Sequence, residues 1–110
     1  MESVLPTQSG EKLAAFGSPH AVKILRVAST SHVNAVAGAI AGIIRERQKA
    51  EIQAVGARAV NQTVKAIAIA RCYLLEENVK IMFFPGFIVL PINNEMRTAI
   101  HFTVEVCKNG

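Results

Sequence analysis

The sequence contains no tryptophan, and aromatic residues make up only 5% of its 110 residues. Hydrophobic residues nevertheless account for 51% of the chain, which argues against intrinsic disorder. A chain of this length suits one domain and buries roughly two-thirds of the surface that its unfolded form exposes. We therefore predict a single small domain with an aliphatic, alanine-rich core and closely spaced elements.

Cysteines and long apolar runs are also scarce. Cys72 and Cys107 are the only cysteines, and neither has the neighbours of a metal site, so we predict two reduced thiols. The longest apolar run, VNAVAGAIAGII, has 12 residues and is too short to cross a membrane. The N-terminus lacks the basic and apolar regions of a secretory signal. We expect a cytoplasmic protein with no membrane partner, no metal and no cofactor.

The charge and the histidines give little support to catalysis. A net charge of +4 and an isoelectric point of about 9.4 permit an anionic partner such as nucleic acid without requiring one. His20, His32 and His101 fall in separate parts of the chain, and no nucleophile–base pattern accompanies them. Glu46 and Glu51 are the remaining acid–base candidates, but carboxylates at helix ends are usually solvated. We therefore expect a protein that is not an enzyme.

The hydrophobic pattern divides the chain into a tail and a domain. Residues 1–20 are polar and rich in proline and glycine, which predicts a loose N-terminal tail, with a short helical turn near residues 11–16 as an option. Residues 21–110 form the predicted domain. Within it, periodicity and turn signals predict two helices, at residues 33–48 and 60–75, and four strands, at residues 22–28, 50–57, 78–92 and 97–106.

The resulting order, β-α-β-α-β-β, limits the architecture. A right-handed crossover makes the first two strands parallel, and the last two form a hairpin with its tip near Asn93–Asn94. Pro85–Gly86 predicts an edge position, a bulge or a bend in the third strand. The fold class is therefore α+β, a two-layer sandwich in which both helices cover one face of a four-stranded mixed sheet.

Three finer expectations concern packing. Gly38 and Gly42 each cost about 1 kcal/mol relative to alanine inside a helix, so we interpret them as a sign of a second backbone very close by. The second helix is apolar on two sides; the sheet covers one side, and a second chain would cover the other, which predicts a homodimer. In the last strand, Thr98 to Val106 alternate, with Phe102 among the inward residues and Ala99 among the outward ones.

The segment AEIQAVGARAV combines a strand, a glycine turn and a helix. It matches neither a Walker loop nor a dinucleotide fingerprint. A helix N-terminus still directs free N–H groups and a positive dipole end outward, with Arg58 beside Gly56. On the residues alone, this is either an anion site or a tight corner with a solvated arginine. The hairpin tip NNEMR is likewise either a solvated turn or an arm that carries Arg97 outward beside Glu95.

Three segments carry a family resemblance: NAVAGAIAGIIRER, AEIQAVGARAVNQTVKAIAIAR and RTAIHFTVEV. In this order, from Val22 to Val106, they closely resemble the stage V sporulation protein S family. That family is similar to a branch of the Alba superfamily of nucleic-acid-binding proteins. The resemblance implies an Alba-like fold, a homodimer or higher oligomer, binding of DNA or RNA, and a regulatory role in bacterial development such as sporulation.

The Alba pattern places a glycine–arginine turn at Gly56–Arg58. For a dimeric Alba-like protein we therefore expect Arg58 to contact phosphate beside the Gly56 turn and Lys65 to extend that contact along the helix. We expect His32 and Asn34 to supply neutral hydrogen bonds from the first loop and Arg97 to reach along a groove from the hairpin. The chain departs from the Alba pattern in the loop STSHVN, where Alba proteins carry lysines. That departure favours an alternative, a protein-interaction or assembly module that does not bind nucleic acid. A third hypothesis, an enzyme acting on a phosphorylated small molecule, rests only on the Gly56 turn.

Overall fold

The computed structural model describes residues 23–108. Its elements, numbered in chain order, are β1 (Ile24–Val27), α1 (Val33–Arg47), β2 (Lys49–Ala54), α2 (Ala57–Leu75), β3 (Ile81–Ile92) and β4 (Glu95–Val106). The predicted tail at residues 1–20 and the optional helical turn at residues 11–16 lie outside the described residues.

The four strands form one sheet in the order β1-β2-β4-β3. Strands β1 and β2 are parallel, whereas β2–β4 and β4–β3 are antiparallel. Both helices pack against each other and against the same face of this sheet. The predicted α+β class, element order and mixed sheet are therefore confirmed. Between residues 23 and 108, neither helix combines the length and apolarity needed to span a membrane.

The core lies between the helices and one face of the sheet, and it is aliphatic as predicted. Phe102 is the only aromatic side chain among its buried members in the described part of the chain. Alanines on both helices and on β2 allow the two layers to approach closely, because interiors pack at crystal-like density. The fully or almost fully buried members include Ala37, Ile40, Ala41 and Ile44 of α1, Ile52 of β2, Ala66, Ala70 and Leu74 of α2, and Val104 of β4.

The prediction that another backbone lies close to the α1 glycines is wrong for this chain. A Cβ atom placed on Gly38 or Gly42 would meet no atom within 4 Å. The reason is the direction of the buried stripe, which runs through Ala37, Ile40 and Ile44. Gly38 therefore faces outward from the helix and is exposed.

Side-chain direction alternates along β4 as predicted, but burial follows that alternation in the C-terminal half only. Phe102 and Val104 are buried, whereas Ala99 on the outward face is 2% exposed and Thr98 on the inward face is exposed. Strand β2 pairs with β4 no further than Ile100. Thr98 therefore lies on a part of β4 that β2 does not flank. Ala99 stands opposite Ile88 on β3 and has only a methyl group to cover.

Strand β3 is an edge strand, one of the three options that Pro85 suggested. The N–H of Cys107 donates to the carbonyl of Lys80 at 2.8 Å. This hydrogen bond determines which residues of β3 direct their backbone N–H and C=O groups toward β4. Even-numbered β3 residues point their backbone groups toward β4, and odd-numbered ones point toward the free edge. Pro85 and Pro91 are both odd-numbered, so neither removes a hydrogen bond from the sheet.

Candidate functional site

The turn between β2 and α2 is built on Gly56. This residue is the N-cap of α2 and has φ +94° and ψ 154°, a conformation that glycine adopts far more easily than other residues. Its carbonyl accepts the first helical hydrogen bond, from the N–H of Val60 at 3.0 Å. No side chain caps the helix, so the N–H groups of its first turn are available to an external acceptor.

The loop between β1 and α1 lies beside this turn. The amide of Gln62 on α2 donates to the carbonyl of Ser31 at 3.0 Å, which connects the loop to α2. His32 is the N-cap of α1 in an extended conformation and makes no side-chain capping bond. Because β1 and β2 are parallel, two helix N-termini lie side by side at one edge of the sheet. We call this edge, residues 28–34 and 54–58, the upper edge.

Four of the six predicted site residues lie at the upper edge. His32 and Asn34 stand at the start of α1, and Gly56 and Arg58 at the start of α2; all four are exposed. Lys65 is also exposed and lies seven residues beyond Arg58 on the same side of α2, about 10.5 Å along the axis. Lys65 therefore extends the row of cations away from the edge and along the helix.

Arg97, the sixth predicted residue, lies on an arm above the upper edge. Strand β2 pairs with β4 only between Ile100 and Glu105, so residues 95–99 continue about 17 Å beyond it. The arm ends in Asn93–Asn94, whose φ angles of 51° and 64° are those of a type I′ turn. This confirms the predicted hairpin tip. Arg97 points to the sheet face opposite the helices, which we call the open face.

The described carboxylates are distributed unevenly. Glu95 is the only one on the hairpin arm or the upper edge in the described part of the chain. The others lie on the lower half of β2 or at the opposite end of the molecule: Glu46, Glu51, Glu76, Glu77 and Glu105. The cations of the upper edge and arm are therefore little neutralised, whereas those at the lower end stand among carboxylates.

Arg45 and Glu77 form an ion pair at that lower end. The Nε of Arg45 donates to both carboxylate oxygens of Glu77 at 3.1 Å, and the second guanidinium nitrogen donates at 2.7 Å. The hydrogen bonds from Arg45 lower the pKa of Glu77, and the same contact raises the pKa of Arg45. The pair links the last turn of α1 to the loop after α2. Because Glu77 compensates its charge, Arg45 is not a candidate for binding an external anion.

The open face carries a polar cluster that sequence reasoning did not find. The ring of His101 lies with Nε2 2.9 Å from an Oε1 of Glu51 and Nδ1 3.4 Å from the amide nitrogen of Gln53. An imidazole protonated at Nε2 donates to Glu51 and accepts from Gln53. The expectation that Glu51 is a solvated helix-end carboxylate is wrong, because it is a strand residue whose side chain is 19% exposed.

Gln53 and His101 lie on different strands, and their contact depends on a pairing across 48 residues. No local pattern gives that register. Gln53 is 5% exposed, and its buried Oε1 has no hydrogen-bond partner. Across residues 23–108, no three His, Cys, Asp or Glu side chains are grouped so that they could hold a metal ion.

The fold defines the class of protein. Alba from Thermoplasma volcanium superposes with a TM-score of 0.53 at 14% identity, over 78% of this chain and 100% of that chain, so the two share the Alba-like α+β fold. A family model described as stage V sporulation protein S matches residues 23–107. The chain belongs to the stage V sporulation protein S family, as the resemblance of its segments indicated.

Proposed function

We propose that this protein is a dimeric, non-enzymatic regulatory protein of the bacterial cytoplasm that binds DNA or RNA through the phosphate backbone. The observation that carries the proposal is the exposed Arg58 at the uncapped N-terminus of α2, beside the positive-φ Gly56. The resemblance to nucleic-acid-binding Alba proteins supports it, and the family supports a role in development such as sporulation.

Each of the six predicted site residues has a distinct task in this proposal. The free N–H groups after Gly56 bind one phosphate oxygen, and the guanidinium of Arg58 adds a charge-assisted hydrogen bond. Lys65 and Arg97 contact neighbouring phosphates, while His32 and Asn34 add polar contacts. Contacts of this kind give affinity and salt dependence but no sequence specificity. The expected partner is therefore DNA or RNA of no fixed sequence.

We infer a homodimer from an apolar surface on the helix-facing side of β3. Phe83, Phe87 and Val89 are 36%, 83% and 55% exposed, and exposed apolar patches of this kind mark interaction surfaces. A second copy of the chain would cover them. Helix α2, whose second apolar side was expected to meet a second chain, also packs against α1, so its apolar character does not by itself require a partner. Dimerisation would place two upper edges on one nucleic acid, which compensates for the few cations on each subunit.

The alternative function is a protein-interaction or assembly module. It is favoured by the β1–α1 loop, where residues 28–32 contain no lysine or arginine, and by the same exposed apolar side chains of β3. This alternative predicts assemblies larger than a dimer in the absence of nucleic acid. Light scattering on the purified protein distinguishes it from the first proposal.

Charge reversal at one arginine and, as a control, at one lysine tests the proposal. Arg58→Glu should weaken binding to duplex DNA and to RNA by about tenfold or more, because charge-assisted hydrogen bonds contribute about 1.5–3 kcal/mol each. Lys108→Glu makes the same kind of change at an exposed residue after the end of β4 and should alter affinity less than Arg58→Glu does. Fluorescence anisotropy gives both values. Equal, small effects of the two substitutions would contradict the assignment of nucleic-acid binding to the upper edge.

A further inference from the structure

The open face has a row of four positions that crosses all four strands. Arg26 of β1 pairs with Gln53 of β2, Gln53 with His101 of β4, and His101 with Gly86 of β3. Because Gly86 has no side chain, the sheet surface is bare at that point. A shallow cavity of about 370 Å³ opens there, lined by Phe84, Pro85, Gly86, Phe87, Ile88, His101 and Thr103.

An aromatic ring borders this cavity. Phe84 lies on the open face opposite Thr103 and is 50% exposed. The whole sequence has only five phenylalanines and one tyrosine, and three of these six, Phe83, Phe84 and Phe87, are exposed on β3. An exposed ring beside a bare backbone offers a planar ligand a surface on which to stack.

Polar groups stand at the inner side of the cavity. Thr103 has a hydroxyl that can donate and accept a hydrogen bond. His101 is held on both sides by Glu51 and Gln53, so its ring has a fixed orientation. The unpartnered Oε1 of Gln53 leaves this cluster with an unused acceptor, and a buried polar atom without a partner calls for an explanation.

Two cations flank the cavity on the same face. Arg26 lies three inter-strand spacings from Gly86, about 14 Å away across the sheet. Arg97 stands four residues from His101 along β4, also about 14 Å away. Both are exposed. A ligand with a planar ring in the cavity and an anionic group on either side of the ring would therefore meet an aromatic side chain and two cations.

We propose that the open face binds a single-stranded segment of RNA or DNA. One base stacks on Phe84 over Gly86 and hydrogen-bonds to Thr103, while flanking phosphates pair with Arg26 and Arg97. This inference rests on the proposed function and adds a preferred partner to it. Single strands can place a base face on an aromatic side chain, whereas a duplex keeps its bases stacked on one another. A second protein copy fits this face less well, because it would bury both arginines.

The test compares two apolar residues on the open face of β3. Phe84→Leu removes the ring from the open face and keeps an apolar side chain; Met82→Leu is the control, because Met82 is exposed on the same face but has no ring and does not line the cavity. Full-length variants are titrated by fluorescence anisotropy with a labelled 12-nucleotide uridine-rich RNA and with duplex DNA of equal length. Phe84→Leu should weaken RNA binding about 5- to 150-fold, the range that corresponds to loss of one base stack. Its duplex affinity, and both affinities of Met82→Leu, should change by less than about twofold.

The two ligands separate this inference from the proposed function. If duplex binding depends on Arg58 while Phe84→Leu leaves RNA binding unchanged, the open-face inference is overturned and the upper edge stands. If Phe84→Leu weakens RNA binding but Arg58→Glu affects neither ligand, the upper-edge proposal fails instead. Binding of neither ligand by the unmodified protein overturns both. A change of oligomeric mass in Phe84→Leu, without a selective loss of RNA binding, would identify the face as a protein interface and also overturn the inference.

Photocross-linking gives a second, direct readout in the unmodified protein. RNA that contains 5-iodouridine should form adducts on peptides that include Phe84 or Thr103. Adducts confined to peptides of the upper edge would contradict a base in the open-face cavity.

Discussion

Gly56 is the residue on which the geometry of the upper edge depends. Its φ of +94° lies in a region that side chains make costly, although a Cβ atom there would meet nothing within 4 Å. The need for glycine is therefore conformational, and no neighbouring atom imposes it. The sequence indicated a glycine corner at this position, but it could not say whether space or backbone angle required it.

A pair of glycine-to-alanine substitutions tests this point. Gly56→Ala should lower the free energy of unfolding by about 1–3 kcal/mol, the usual cost of a strained backbone conformation. Gly38→Ala is the matched control, since Gly38 is exposed inside α1 with no atom within 4 Å of its added Cβ. It should raise the free energy of unfolding by up to about 1 kcal/mol. Urea denaturation measures both, and a neutral effect of Gly56→Ala would contradict a strained positive-φ backbone at Gly56.

At the scale of helices and strands, most of the fold could be predicted because local pattern encodes it. Alternation at Phe102 and Val104 and the helical spacing around Ile40 and Ile44 identified their elements. The turn Asn93–Asn94 was predictable because asparagine tolerates positive φ. The predicted start of α2 at residue 60 came late, since its first turn, Ala57 to Ala59, carries no apolar periodicity and begins at the glycine cap.

The contacts between elements were harder to predict. The pairing of Glu51 with His101 spans 50 residues and depends on which strand β2 meets on its antiparallel side. The exposure of Gly38 depends on the rotation of α1 about its axis, which two glycines beside an apolar stripe do not determine. Register and helix rotation are set by packing of the whole layer, so the open-face cluster could not be found from sequence.

The ion pair between α1 and the loop after α2 gives a prediction for pH dependence. Arg45 lowers the pKa of Glu77 in the folded state below its usual value of 4.5, so the folded carboxylate loses its charge at lower pH than the unfolded one. The stabilisation is therefore present above about pH 4.5 and is lost as the pH falls through the lowered pKa. Thermal unfolding of Glu77→Gln and the unmodified protein should differ at pH 7 and converge in acid. A difference that persists or grows in acid would contradict this assignment.

For the whole molecule, topology explains why the candidate site could be partly predicted. A right-handed crossover makes β1 and β2 parallel, and parallel strands direct both following helices away from the same edge. His32, Asn34, Gly56 and Arg58 therefore come together although they are spread over 27 positions in the sequence. The concentration of carboxylates at the lower end could not be predicted from the sequence, because it depends on where the ends of all six elements lie.

The proposed dimer gives a prediction at the same scale. Phe87→Glu should convert the protein from a dimer of twice 11.8 kDa to a monomer, because it places a charge on the exposed apolar side of β3 that a second copy would cover. Met82→Glu is the control: Met82 lies on the same strand but on the open face, and it is 40% exposed. Sedimentation velocity gives the mass of each variant. Dissociation by Met82→Glu alone would locate the interface on the other face.

The most direct test of phosphate binding at the upper edge is the salt dependence of binding. The logarithm of the association constant for duplex DNA should fall linearly with the logarithm of salt concentration, with a slope of about −0.9 for each phosphate contacted. Arg58→Ala should make that slope shallower by about one unit for each Arg58 that contacts phosphate. An unchanged slope in Arg58→Ala, or no binding by the folded protein even at low salt, would contradict the account and favour the protein-interaction function.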